Sequence, residues 1–212
     1  SAKLQEEDAR KANYHHYSKH HPAKPLYTKD DTEQSFNYFH TVRENIVISL
    51  SDHIKCKFKP CGHIIGACSV AITCFDKTIV FSGDIGRSHS EVVPINDFFA
   101  KADYLVMEST YGDRLHGNKN PYDNLQHWIN HTVENQGNII IPSFAVGRAQ
   151  ELIYMLHQLK KQNKIPHDLP IMLDSPMAAS ATSIIVDYAE YTTVDKREWS
   201  ATVSGIEINR DY

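Results

Sequence analysis

Apolar and polar positions change rhythm twice along this chain of 212 residues. The opening run Leu4-Gln5-Glu6-Glu7-Asp8-Ala9-Arg10-Lys11-Ala12-Asn13 is rich in good helix formers and predicts a helix. Pro22 and Pro25 then force an extended connector. Thr28, ahead of Lys29-Asp30-Asp31, supplies the N-cap of a second helix running to about Phe39. From residue 44 the pattern shortens to that of strands, expected over 44–50, 54–58, 67–75 and 78–81, with Asp76-Lys77 as the tight turn of a hairpin between the last two. A further short apolar run over 104–107 suits a buried strand.

Beyond Pro121 the period lengthens again. Residues 122–134 predict a helix with Leu125, Trp128, Ile129 and Val133 on one face, ended by Gly137. Residues 138–141 read as a buried strand, about 146–159 as a helix and 170–173 as a strand. Ser175-Pro176 opens a helix to about Tyr191, with proline at its favoured first position. Alternating helix and strand means a parallel α/β unit. The β-rich portion therefore ends near Gly112, and an α/β portion follows it. The polar tail 192–212 predicts no clear element.

Composition changes this picture little. A hydrophobic share of 41% and a charged share of 23% are globular values. No apolar stretch is long enough to cross a bilayer and no secretory signal opens the chain, so a cytoplasmic location and no membrane partner are expected. The first residue is not methionine, and the chain reads as if it starts inside a fold. Cys56, Cys61, Cys68 and Cys74 lack the paired spacing of a structural zinc site and read as free buried thiols. With 22 basic against 26 acidic residues, a general nucleic-acid-coating protein is disfavoured. Any nucleic-acid chemistry must come from a local groove or a metal.

Three strand ends carry that chemistry. In Gly62-His63-Ile64-Ile65-Gly66 an imidazole sits between glycines, where the backbone turns sharply. In Phe81-Ser82-Gly83-Asp84-Ile85-Gly86-Arg87 an apolar strand delivers an aspartate at its tip, and in Val106-Met107-Glu108-Ser109-Thr110-Tyr111-Gly112 another delivers a glutamate. Singly, His63 reads as a turn or core histidine and Asp84 as a turn residue; together, His, Asp and Glu at successive strand ends point to one site on one rim of a sheet. Arg148, at a helix start, suits an RNA phosphate or an internal ion pair. Ser175 reads as an N-cap rather than a nucleophile, Asp174 as a weak cleft candidate, and Trp128 as core. The cluster His15, His16, His20, His21 reads as a solvated patch, with His16 and His20 as an i,i+4 metal pair in the alternative.

These segments resemble, in order, the signatures of the metallo-β-lactamase superfamily in its β-CASP nuclease branch. The resemblance continues through Pro142-Ser143-Phe144-Ala145-Val146-Gly147-Arg148-Ala149-Gln150-Glu151 and Asp174-Ser175-Pro176-Met177-Ala178. It implies an α/β fold in which residues 1–112 form part of a metallo-β-lactamase αββα sandwich and 113–212 part of a parallel-sheet β-CASP domain. It also implies zinc-dependent hydrolysis of RNA phosphodiesters, with two Zn2+ ions in the full-length parent and single-stranded RNA as partner; a homodimer is left open. By resemblance His63 holds one zinc, Asp84 bridges both, and Glu108 orients the histidine that protonates the leaving oxygen. Asp84 and Glu108 are thus the catalytic candidates, His63 and Asp84 the metal ligands, and Ser143 and Arg148 the substrate-binding candidates.

The family's His-x-His-x-Asp-His motif and its later histidines do not occur here. Two ligands are too few for zinc, which ordinarily takes roughly four. The chain is therefore expected to be a fragment, inactive alone. Rival readings are a small-substrate hydrolase of the same fold, against which the Ser143 and Asp174 segments speak, and a non-catalytic scaffold homologue in an RNA-processing complex.

Overall fold

The computed structural model describes residues 1–87, 90–115, 117 and 120–209. It divides into two compact units, Ser1–Arg43 and Glu44–Tyr212. In the first, α1 (Ala2–His15) ends because His16 turns into the left-handed region at φ 55. Side chains of α1 then hold the connector. Asn13 exchanges two hydrogen bonds with the Ala23 backbone, at 2.9 and 2.7 Å, and Gln5 accepts from the Leu26 N–H at 3.1 Å. α2 (Lys29–Ser35) starts on the expected Thr28 in a reciprocal capping box with Asp31, and one turn of 3-10 helix, Phe36–Tyr38, follows it.

The end of α1 removes one alternative. His16 and His20 lie beyond the helix, in the turn and bend segment that follows it, so their spacing no longer sets them one helical turn apart.

The second unit opens with a five-stranded sheet. β1 (Val47–Ser49), β2 (Ile54–Pro60), β3 (Cys68–Cys74) and β4 (Lys77–Phe81) are antiparallel neighbours in chain order, and β5 (Tyr104–Val106) joins β4 in parallel. The hairpin turn falls on Phe75-Asp76, one residue earlier than expected, because Cys74 pairs with Lys77 and Phe75 supplies the left-handed residue at φ 53. Cys56, Ala71 and Val80 are buried in the sheet. Two expectations fail here. Cys74 is exposed rather than buried, and all of β5 is exposed despite its apolar sequence.

The rest is mainly helical: α3 (Pro121–Glu134), α4 (Arg148–Lys161), α5 (Pro176–Asp187) and α6 (Lys196–Ser204), with β6 (Met172–Asp174) pairing β7 (Glu207–Asn209) in parallel. One apolar cluster joins Val92, Ile185, Ala189, Val194 and Trp199, and another joins Ile129, Leu156, Leu159 and Ile165. The architecture is mixed α/β, as the alternation implies. Helix α5 stops at Asp187 and a 3-10 turn, Ala189–Tyr191, completes the predicted span.

Residues 138–141 are not a strand. They take no ladder partner among the described residues, and Ile140 is 88% exposed. Trp128 is not core either, being 55% exposed, while its neighbour Ile129 turns inward. The tail, by contrast, contains structure that its polarity concealed. Asp195 caps α6 by accepting from the Glu198 N–H at 2.9 Å, and Trp199 is fully buried. The Asp195-Lys196-Arg197-Glu198 sequence carried that signal. Arg210, Asp211 and Tyr212 lie outside the described residues.

Candidate active site

The three predicted strand-end residues converge. His63 follows β2, Asp84 follows β4 and Glu108 follows β5. The antiparallel hairpin and the parallel β4–β5 pair place these ends along one rim. His63 Nε2 stands 3.8 Å from Asp84 Oδ2, with both side chains substantially exposed.

Backbone contact sets that separation. The Gly86 N–H donates to the Cys61 carbonyl at 2.7 Å, drawing the loop after β4 onto the loop after β2. A Cβ on Gly86 would lie 1.8 Å from the Gly62 oxygen and 2.6 Å from the His63 nitrogen, so only glycine permits the approach. Gly62 itself needs its left-handed φ of 69° and is backed by Asn96, whose Nδ2 donates to the Gly86 carbonyl at 3.0 Å. The buried Cys61 thiol donates to the Asp84 carbonyl at 3.1 Å. Burial pushes that thiol's pKa up, which keeps it protonated and able to donate.

Glu108 locks the same loop from the other side. Its carboxylate accepts from the Ile85 N–H at 2.6 Å, and its own N–H donates to Ser82 Oγ at 3.1 Å. The Ser82 carbonyl in turn accepts from the buried Ser69 hydroxyl at 2.6 Å. The hydroxyl of Thr110 and the Ile85 N–H, with His63 nearby, hold the Glu108 carboxyl below the usual carboxylate range. Glu108 is therefore an anion at neutral pH, and it positions the segment carrying Asp84.

Gly147, just ahead of α4, closes on the same rim: a Cβ there would lie 2.7 Å from the Ile64 side chain. Arg148 follows it, but its guanidinium donates to Glu151 at 2.5 Å in an i,i+3 ion pair. Ser143 is exposed on the preceding loop. Asp174 lies at the end of β6, where its Oδ1 accepts from Asn209 Nδ2 at 2.9 Å. Sequence reasoning missed Cys61, Ser82, Asn96 and Gln150. Gln150 is fully buried, accepts from the Gly147 N–H at 2.8 Å and donates to the Ala145 carbonyl and to Thr182 Oγ1, each at 3.0 Å. Nothing in a polar glutamine inside a helix signals burial.

The donor set fits zinc only in part. Tetrahedral metal–ligand bonds of about 2.0–2.1 Å separate two donor atoms by roughly 3.3 Å, so His63 and Asp84 need close by only a fraction of an ångström. Among the described residues, no three His, Cys, Asp or Glu side chains form a metal cluster. His63 and Asp84 could form one edge of a coordination shell, and the described residues do not complete it.

Residues 149–211 match the Beta-Casp domain. That match assigns this part of the chain to the β-CASP family, and likeness to the following relatives extends over most of the chain. It is 30% identical to an RNase J-like protein of Methanocaldococcus jannaschii, over 78% of this chain and 40% of that one. It is likewise 30% identical to a ribonuclease of Thermus thermophilus (79% and 38%) and to cleavage and polyadenylation specificity factor 73 of Drosophila melanogaster (77% and 24%). The chain thus spans at most 40% of the length of these relatives.

Proposed function

We propose that this chain is part of a zinc-dependent, RNA-processing ribonuclease acting in the cytoplasm, and that it supplies half of the metal-binding edge. The observation that carries the proposal is the facing pair His63 and Asp84, 3.8 Å apart at strand ends, in a chain whose relatives include named ribonucleases. Residues 1–112 would belong to the metallo-β-lactamase portion and 113–212 to the β-CASP portion. Bound zinc would supply an activated water and stabilise the charge that develops on a phosphodiester.

The residues of this chain have separable tasks. His63 would offer that metal an imidazole nitrogen, and Asp84 a carboxylate oxygen. Glu108 acts through the Ile85 N–H to hold the Asp84 loop. The half-exposed Arg148 guanidinium keeps donors beyond those given to Glu151, and with Ser143 it would contact the RNA backbone.

The test uses the full-length protein containing this chain: metal content and cleavage of single-stranded RNA, compared with its Asp84→Ala variant. Loss of metal together with loss of cleavage is expected. Equal cleavage by both proteins would sink the metal assignment, and RNA binding without cleavage by the unmodified protein would favour a scaffold. The 212-residue chain alone is expected to show no turnover.

A further inference from the structure

The face of α3 opposite its buried side is wholly polar. Asp123, Gln126, His127, Asn130, His131 and Glu134 recur at helical spacing and line an open groove of about 440 Å³. His127 and His131 stand one turn apart with their rings nearly parallel, 13° between planes and 6.3 Å between centres. Both are exposed. An i,i+4 histidine pair on a helix is a chelating geometry for a transition metal, and unlike His16 and His20 this pair sits inside a continuous helix.

We propose that this face of α3 is a second metal site, distinct from the rim holding His63 and Asp84, for a late first-row divalent cation. A metal–nitrogen bond of about 2.0–2.1 Å puts an ion roughly 3 Å from each ring centre. Nearly parallel rings 6.3 Å apart must turn and draw together by roughly 1–2 Å to give one ion a nitrogen from each at the coordination angle, a change open to two exposed side chains on one helix face. Asp123, one turn before His127, and Glu134, one turn after His131, add negative charge that draws a cation to the groove. No third side chain completes a metal cluster among the described residues. The described residues thus supply two nitrogens, and water would fill the ion's other positions. Two imidazoles and open positions favour Cu2+ over Ni2+ and Zn2+.

Trp128 supplies the readout. Its ring lies 5.2 Å from His127 and 6.0 Å from His131, and it is exposed, whereas the other tryptophan, Trp199, is buried in the core. Copper bound by the pair should quench Trp128 fluorescence. The experiment titrates Cu2+ into the full chain near neutral pH, alongside the His127→Gln, His131→Gln and His20→Gln variants. Saturable quenching at one ion per chain is expected, weakened roughly tenfold or more by either α3 variant and unchanged in His20→Gln. Electron paramagnetic resonance of the loaded chain should show two imidazole nitrogens on the copper, reduced to one in either α3 variant. Quenching that is not saturable, or that survives in His127→Gln and His131→Gln, overturns the proposal.

Discussion

Glycines and buried side-chain amides govern the rim more than its charged groups do. Gly86 touches the Gly62–His63 backbone so closely that a methyl group must displace one loop from the other. Gly86→Ala should therefore lower stability by about 1–3 kcal/mol, the usual cost of overpacking, seen as a lower denaturant midpoint. In the full-length protein it should weaken metal retention as well. Gln150 works the same way on the second loop: one side chain accepts from the Gly147 N–H and donates to the Ala145 carbonyl and to Thr182. Gln150→Leu leaves the Gly147 N–H and Thr182 without these partners. A loss of about 1–3 kcal/mol is expected, with faster amide exchange at Gly147 than in the unaltered chain.

Between helices, the decisive contact is Glu198 of α6. Its carboxylate accepts from Lys161 at 2.9 and 3.1 Å and from Gln158 at 2.6 Å, both on α4, with His157 at 3.5 Å. Lys161 first, then Gln158, holds the Glu198 pKa below its ordinary value near 4.5. A carboxyl depressed in the folded state favours folding while it is ionised. That contribution is complete above about 4.5 and is lost as the pH falls through the depressed folded value. Thermal unfolding followed from pH 7 downward should show an acid-side loss of stability that is smaller in Glu198→Gln. If the two proteins lose stability in parallel, the α4–α6 contact does not carry the effect.

At the scale of the whole molecule, the two compact units meet in sequence at Arg43–Glu44, and Arg43 is exposed. Limited trypsin digestion should cut there early, before the sheet and the helical portion are attacked, and mass spectrometry of the first products checks it. Within the second unit the packing centres on Trp199, which is fully buried and lies 5.8 Å ring to ring from Tyr154. Trp199→Ala should cost about 3–5 kcal/mol, a loss large enough to show as a collapse of the cooperative unfolding transition.

What the sequence determined by itself is local. Helix starts at Thr28 and Ser175, the hairpin near Asp76, and the delivery of His63, Asp84 and Glu108 at strand ends follow from capping chemistry, turn residues and apolar period, all properties of a few neighbouring residues. Tertiary structure decided what depends on neighbours distant in the chain. The 3.8 Å meeting of His63 with Asp84 requires the Gly86–Cys61 contact, and the burial of Gln150 requires Thr182 from another helix. Ile140 shows the same rule in reverse. Its apolar run has strand character, but a strand exists only when a partner offers its backbone hydrogen bonds, and among the described residues none does so.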